Sequence, residues 1–434
     1  MNRRNFIKNT ALTTAGIIAS PYILPSGRLF ASTGVRKVNH VVFCMFAGGI
    51  RNLESVIKAD GNLMRNMLAG TETISGDIAS GIDVLTPLSS TPLQTYGTLF
   101  KQFRYAQGPT GHFNGNTALI TGTYTDTTLD IKTHPNTPTI FEYYRKHSSA
   151  TNNALNAWWI SNSLGPNMSL NFSTDVEYGA QYGANYMQPY NLFNYDSNLE
   201  LSSPKIFNTA EQAQIAGLQN FFNKNFTQKS LNAETIDNTT ADRAKLNDFF
   251  AKTWTKLQGG QYNNPWNLAT GMNGDMHNVM MAEEVLKEFK PELLVVNMTD
   301  VDIAHSNFTR YCNNLGKADY AFAHLWQTIQ STPGLMNDTL LIAVPEHGRN
   351  NVPNSIVDAY GRQALDHTDE GGSREIFCMM LGPAGVINQN KIVNSIEGET
   401  IDIVPTIAHA LGFDVDIPSQ YRSRMGSVLN SAFV

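Results

Sequence analysis

The sequence predicts an α/β protein, a three-layer α/β/α arrangement around a central, mostly parallel sheet. Three observations predict it. Apolar runs at 293–298 (LLVVNM), 340–344 (LLIAV) and 376–381 (IFCMML) are continuous instead of alternating, as strands covered on both faces must be. Helical patterns at 275–289, 315–330 and 401–411 separate or follow them, in the strand, helix, strand succession of a sheet with right-handed crossovers. The runs at 293–298 and 340–344 lead directly into acidic and imidazole side chains, and in open α/β sheets ligands bind beyond the carboxyl ends of the strands.

Taken in order, the chain begins Asn2-Arg3-Arg4-Asn5-Phe6-Ile7-Lys8 and continues into an apolar, Ala/Thr/Gly-rich stretch at 11–19. Paired arginines before a short apolar region are the pattern of a twin-arginine export signal. Leu29-Phe30-Ala31 puts the expected cleavage after Ala31, with a signal over 1–31 and one α/β domain over 32–434. The apolar stretch is too short, and too rich in Thr and Pro, to span a membrane, and no later segment has the necessary run. The expected location is periplasmic or secreted, with the twin-arginine translocase as partner during export and no membrane span after signal removal.

A strand at 38–46 follows, then Gly48-Gly49 and Arg51. Paired glycines after a buried strand let the backbone approach a ligand closely, and Arg51 is a candidate anion clamp. A strand at 103–106 leads into Gly108-Pro109-Thr110-Gly111-His112, then a short helix closed by Gly122. That places His112 near a helix N-terminus, where oxyanions are favoured. Between 136 and 290 the expected elements are helices at 139–147, 210–222, 241–257 and 275–289 and a strand at 155–160. An irregular insertion around 165–240, rich in Tyr, Asn, Gly and Ser at its start, has the character of a lid or binding loop.

Composition narrows the partners. Acidic residues number 37 against 31 basic, a formal charge of −6, with no basic cluster, so nucleic acid is a poor partner. Cys44, Cys312 and Cys378 cannot build a disulfide framework, and Cys44 and Cys378 fall in strand runs as buried hydrophobes. The strand at 293–298 is followed by Asp300, Asp302 and His305; the one at 340–344 by Glu346, His347 and Arg349; and the one at 376–381 is preceded by Asp366-His367. Oxygen and nitrogen donors in this mixture suit Zn²⁺, Mn²⁺ or Fe.

In that order, with Gly382-Pro383 and a closing Asp402-Ile403-Val404-Pro405-Thr406 helix, these motifs resemble the alkaline phosphatase and sulfatase superfamily. Together with the export signal, the Gly-Gly turn and His112-Phe113, the segment Glu346-x-Gly348-Arg349, Gly361 and Asp366-His367 is similar to a branch of exported bacterial proteins with an E-F-G-R…G-x-D-H signature. The resemblance implies an alkaline-phosphatase-like fold and metal ligands drawn from Asp302, His305, Glu346, His347, Asp366 and His367 for a divalent ion such as zinc, manganese or calcium. It also implies catalytic roles for His112, Arg51 and Arg349. The departures are specific. Phe46, Ala47 and Gly48 stand where the superfamily has a metal-binding aspartate, His112 stands where it has a hydroxyl or thiol nucleophile, and Glu346 replaces an aspartate. Asp302 and His305 are one residue closer than usual, so Asp300 is an equal candidate. The implied function is an exported metal-dependent hydrolase acting on a small phosphate or sulfate ester. The alternative is a catalytically degenerate binding or surface protein that keeps the scaffold.

Overall fold

The computed structural model describes residues 34–125, 134–148, 153–162, 167–189, 210, 236 and 238–434. The export signal, the helix expected at 210–222 beyond Ala210, and most of the insertion around 165–240 lie outside the described residues.

One eight-stranded sheet is built from β1 (His40–Phe46), β2 (Gly97–Arg104), β3 (Ala157–Ser161), β4 (Asn185–Met187), β5 (Leu293–Met298), β6 (Thr339–Pro345), β7 (Glu375–Leu381) and β8 (Lys391–Glu399), in the order β4-β3-β5-β1-β6-β7-β2-β8. Every neighbouring pair is parallel except those of β7, which runs antiparallel to both β6 and β2. The expectation of a mostly parallel α/β sheet therefore holds, while the strand at 376–381 enters it in the opposite direction. Strands β4 and β8 were not anticipated. The first is short, and the second is a half-solvated edge with exposed Ile392 and Ile396, so neither shows a long apolar run. Strand β2 begins at Gly97, before the expected 103–106.

The continuous apolar runs are explained by a core on each face. Val42, Cys44 and Phe46 of β1, Leu294 and Val296 of β5 and Leu341 and Ala343 of β6 pack into one core. The alternate residues Val41, Phe43, Met45, Val295, Leu340 and Ile342 pack into the other. Burying each such side chain contributes about 1.5–3 kcal/mol, which no exposed face would return. Helices cover both layers. Helix α1 (His112–Thr121) lies on the second core and ends at Gly122, whose φ of 72° is the left-handed cap expected there. The first core is covered by α2 (Thr240–Gln258), started by a Thr239/Asp242 capping box, and α3 (Gly274–Phe289), capped by Asn273. It is completed by α4 (Phe308–Ser331), which Asn307 caps through Arg310 N and which therefore starts ahead of the expected 315. Helix α5 (Ile403–Ala410) closes the second core. The expected helix at 139–147 is a short α-helix, Ile140–Tyr143, running into a π turn over Tyr144–Ser148. The three cysteines are free and buried, and no described helix is long and apolar enough to cross a membrane.

Candidate metal centre

Strand register assembles the site. Phe46 pairs with Met298 on one side and Pro345 on the other, so the three central strands end level and the residues after them converge. Beyond β1 the chain turns through Gly48 and Gly49, with φ of 118° and 74°. A Cβ on Gly48 would lie 2.7 Å from the backbone N of Asp302, and one on Gly49 2.5 Å from Nδ1 of His347, so only bare backbone admits both neighbours. Beyond β5 a 3₁₀ turn, Asp300–His305, presents Asp302 and His305. Beyond β6 come Glu346 and His347, both without solvent exposure. Helix α1 reaches the same point because Gly115 lets it pack on β6: a Cβ there would lie 2.8 Å from the Glu346 carbonyl oxygen. The reversed course of β7 starts that strand at this edge, so the loop carrying Asp366 and His367 never leaves it.

Two groups of donors result. Ligand atoms of His112, Asp302, His305 and His367 lie within 4.8 Å of one another, as do those of His112, Glu346 and His347. Hydrogen bonds fix which imidazole nitrogens face inward. Nδ1 of His367 lies 2.5 Å from the Thr110 carbonyl, which can only accept, so Nδ1 carries the proton and Nε2 keeps its lone pair. That Nε2 is buried and has no hydrogen-bond partner among the described residues. His305 donates from Nδ1 to Asp366 Oδ1 at 2.7 Å and points Nε2 at Asp302 Oδ1, 3.3 Å away. His347 donates from Nδ1 to the Gly348 carbonyl at 2.8 Å, with Nε2 3.3 Å from Glu346 Oε1. An imidazole whose outer N–H is held by a carboxylate or carbonyl is a ligand of settled tautomer and raised basicity. An orphaned buried nitrogen beside the Asp302 carboxylate and the inward-facing Nε2 of His305 fits a divalent cation.

Charge at the site is arranged around two carboxylates. Asp302 Oδ1 accepts from Arg349 Nη2 at 2.6 Å and from His112 Nε2 at 3.2 Å, with His305 Nε2 3.3 Å away. Burial opposes its ionisation, but these partners win and hold it far below the ordinary carboxylate range. Glu346 accepts from Gly48 N at 2.5 Å, from His112 Nδ1 at 2.6 Å and from Asn116 Nδ2. It too is buried, yet the charges of His112 and His347 bring its pKa down to about 2. His112, between both acids, loses to burial less than it gains from Glu346 and Asp302, and rises to about 10. His367 goes the other way: burial and the surrounding cationic groups keep it neutral.

The remaining expected residues lie around this centre. Asp366 stands one step out, as the acceptor behind His305, and belongs to neither donor group. Asp300 is turned away: its Oδ2 accepts from Asp275 N at 3.1 Å at the start of α3, leaving Asp302 as the acid in the cluster. Arg349 is fully buried, with Nη1 on the Leu365 carbonyl at 3.1 Å and Nη2 shared by Asp302 and the Gly48 carbonyl. Its guanidinium therefore neutralises Asp302 where an oxyanion clamp was expected. Arg51 is paired with Glu54 through Nε at 2.8 Å and Nη2 at 2.5 Å, a neighbour three residues on that the strand-end reading did not weigh. Asn116 and the Thr110 carbonyl had not been singled out. Asn116 lies one turn after His112 on the same face of α1, a spacing visible in the sequence, and Asn297 Nδ2 donates to its Oδ1 at 3.2 Å. A backbone carbonyl leaves no such signal.

The fold and site together define a class: a three-layer α/β protein with a His/Asp donor cluster at the carboxyl edge of its parallel strands. No protein-family model and no curated protein matches the sequence. Among solved structures, the chain is similar to a protein in the alkaline phosphatase superfamily from Vibrio parahaemolyticus, at 14% identity over 92% of this chain and 74% of that one, with a TM-score of 0.44. It is also similar to the alkaline phosphatase PafA, at 11% identity over 93% of this chain and 100% of that one, TM-score 0.45. A third is the phosphonate monoester hydrolase from Silicibacter pomeroyi, at 12% identity over 90% of this chain and 76% of that one, TM-score 0.42.

Proposed function

We propose that this chain is a metal-dependent hydrolase of phosphate or sulfate esters that acts outside the cytoplasm. The observation that carries the reading is the buried Nε2 of His367, unpartnered among the described residues and grouped with Asp302, His305 and His112. Asp302, His305 and His367 would hold a divalent ion, three protein ligands leaving a position for substrate as catalytic sites require. Such an ion, zinc, manganese or calcium, would polarise the ester and stabilise the charge that builds on its oxygens. His112 handles the proton. Glu346 fixes its Nδ1, and Nε2 is the atom presented to the cluster, donating to a leaving oxygen when charged and taking a proton from water when neutral. Asn116 and Gly48 N hold Glu346 in place, and Arg349 keeps Asp302 ionised. Export rests on the Arg3-Arg4 segment alone, through the twin-arginine translocase.

The test is elemental analysis of the purified protein together with turnover of an aryl phosphate and an aryl sulfate. Bound divalent metal is expected, with hydrolysis that chelation removes and that His305→Ala and His367→Ala lower at least about 100-fold. A metal-free preparation whose esterase activity is unchanged in both variants overturns the proposal. One contact favours a second reading, a binding protein that retains the scaffold: Arg349 already supplies a cation to Asp302 at 2.6 Å. Metal content near zero and melting insensitive to chelator would select it.

A further inference from the structure

One residue outside the donor groups holds both the ring and the backbone of His367. The Thr110 carbonyl accepts from its Nδ1, and the Thr110 hydroxyl lies 3.0 Å from the His367 carbonyl oxygen. Thr110 is buried, so water does not replace these partners. Two residues on, Asp369 closes a ring with it: Thr110 N donates to Asp369 Oδ1 at 2.8 Å, and Asp369 N donates to the Thr110 hydroxyl at 2.9 Å. Asp369 has a φ of 60°, a left-handed conformation that costs a non-glycine residue free energy and persists where its surroundings impose it. Arg374 joins the same two loops again, with Nη2 on Asp369 Oδ1 at 3.2 Å and on the Gly108 carbonyl at 2.9 Å. Between His367 and Asp369, Thr368 exchanges two bonds with Asn350, at 2.7 and 2.9 Å. The other end of the clamp reaches His112. Thr110 precedes it by two residues, Gly111 between them is the N-cap of α1, and the rings of His112 and His367 are 4.6 Å apart.

A neutral imidazole carries its proton on one nitrogen, and only the bare nitrogen can ligate a cation. If Nδ1 of His367 lost the Thr110 carbonyl, the nearby Asp302 carboxylate would favour the proton on the inner nitrogen, which would then be useless as a ligand. We propose that Thr110 and Asp369 are positioning residues for the metal centre: their bonds hold His367 in the tautomer protonated at Nδ1, with Nε2 bare, and fix His112 beside it. This rests on the metal-centre reading and extends it to two residues that supply no ligand. Simple packing makes a different prediction. Thr110→Val keeps the shape of the side chain and removes only the hydroxyl, so a packing role would survive it.

Two measurements test it: ¹⁵N spectra of the histidine rings in metal-free protein at neutral pH, with His367→Gln assigning the signal, and zinc affinity by competition with a chelating dye. The unaltered protein should show His367 protonated at Nδ1 alone. Thr110→Val should lose that single tautomer and bind zinc about 10–100-fold more weakly, the usual cost of losing an outer partner of a ligating imidazole, with unchanged circular dichroism. Thr110→Ser, which restores the hydroxyl, should recover both. Asp369→Gly suits the left-handed backbone and removes only an exposed carboxylate. It should move both readings the same way by a smaller factor, and it decides the matter if the valine variant does not fold. A tautomer unchanged in Thr110→Val and Asp369→Gly, or a serine variant as impaired as the valine one, overturns the inference. If the unaltered protein takes up no zinc, the metal-centre reading falls, and the ring spectra alone decide whether Thr110 and Asp369 set the tautomer.

Discussion

Nδ1 of His112 lies 2.6 Å from Oε1 of Glu346, a carboxylate with no exposure to solvent, and this contact joins the N-terminus of a helix on one layer to the end of a central strand. It also sets the charge of the ring. The His112 pKa, ordinarily 6.5, is raised to about 10, so its contribution to stability is complete below pH 6.5 and is lost as pH rises through about 10. Metal-free protein should therefore melt at progressively lower temperature across that window. In Glu346→Gln the decline should shrink, with about 3–5 kcal/mol lost at neutral pH from breaking the buried pair. A His112 resonance titrating near its ordinary value in the unaltered protein would contradict this.

Asp366 acts on the proposed ion through His305. Asp366→Asn should keep the fold but lower metal affinity about 10–100-fold, because a carboxamide holds the imidazole N–H without the negative charge that raises ligand basicity. Competition with a fluorescent chelator measures it. Unchanged affinity would show that the pair has no bearing on metal binding.

Arg349 neutralises Asp302 from a fully buried position. Arg349→Met should cost about 1–3 kcal/mol in urea denaturation, since it leaves a half-buried carboxylate without its cation. Arg349→Lys should recover only part of this, because one ammonium cannot reach Asp302 and the carbonyls of Gly48 and Leu365 in the same fork. A loss below about 1 kcal/mol for the methionine variant would mean that Asp302 has other compensation.

Gly115 sits inside a helix, where alanine is ordinarily better by up to about 1 kcal/mol. Here a Cβ would lie 2.8 Å from the Glu346 carbonyl oxygen and 2.9 Å from its Cβ, both on a rigid strand end. Steric cost should exceed propensity, so Gly115→Ala should destabilise by about 1–3 kcal/mol and move His112 off Glu346. A more stable variant with an unshifted His112 titration would refute the close-packing account.

Legibility followed burial. Strands β1, β5 and β6 were readable because a strand covered on both faces needs an unbroken apolar run, and the chemistry-bearing residues were readable because they follow those runs directly. The same property hid the direction of β7: with both faces apolar, IFCMML satisfies a parallel or an antiparallel neighbour equally. Edge strands β4 and β8 lack the run altogether. At the site, Arg51 was read as a clamp because one-dimensional spacing shows a cation near a turn and cannot show that Glu54 folds back onto it.

By itself the sequence determined the sheet-forming segments, the glycine turn after the first strand and the supply of imidazoles and carboxylates at strand ends, since all of these follow from local pattern and residue chemistry. Tertiary structure alone decided that Asp302 and not Asp300 faces the cluster, that Asp366 stands behind His305, and that Arg349 spends its charge on Asp302. Those outcomes depend on the level ends of β5, β1 and β6 and on the return of β7, which are long-range register relations that no local pattern encodes.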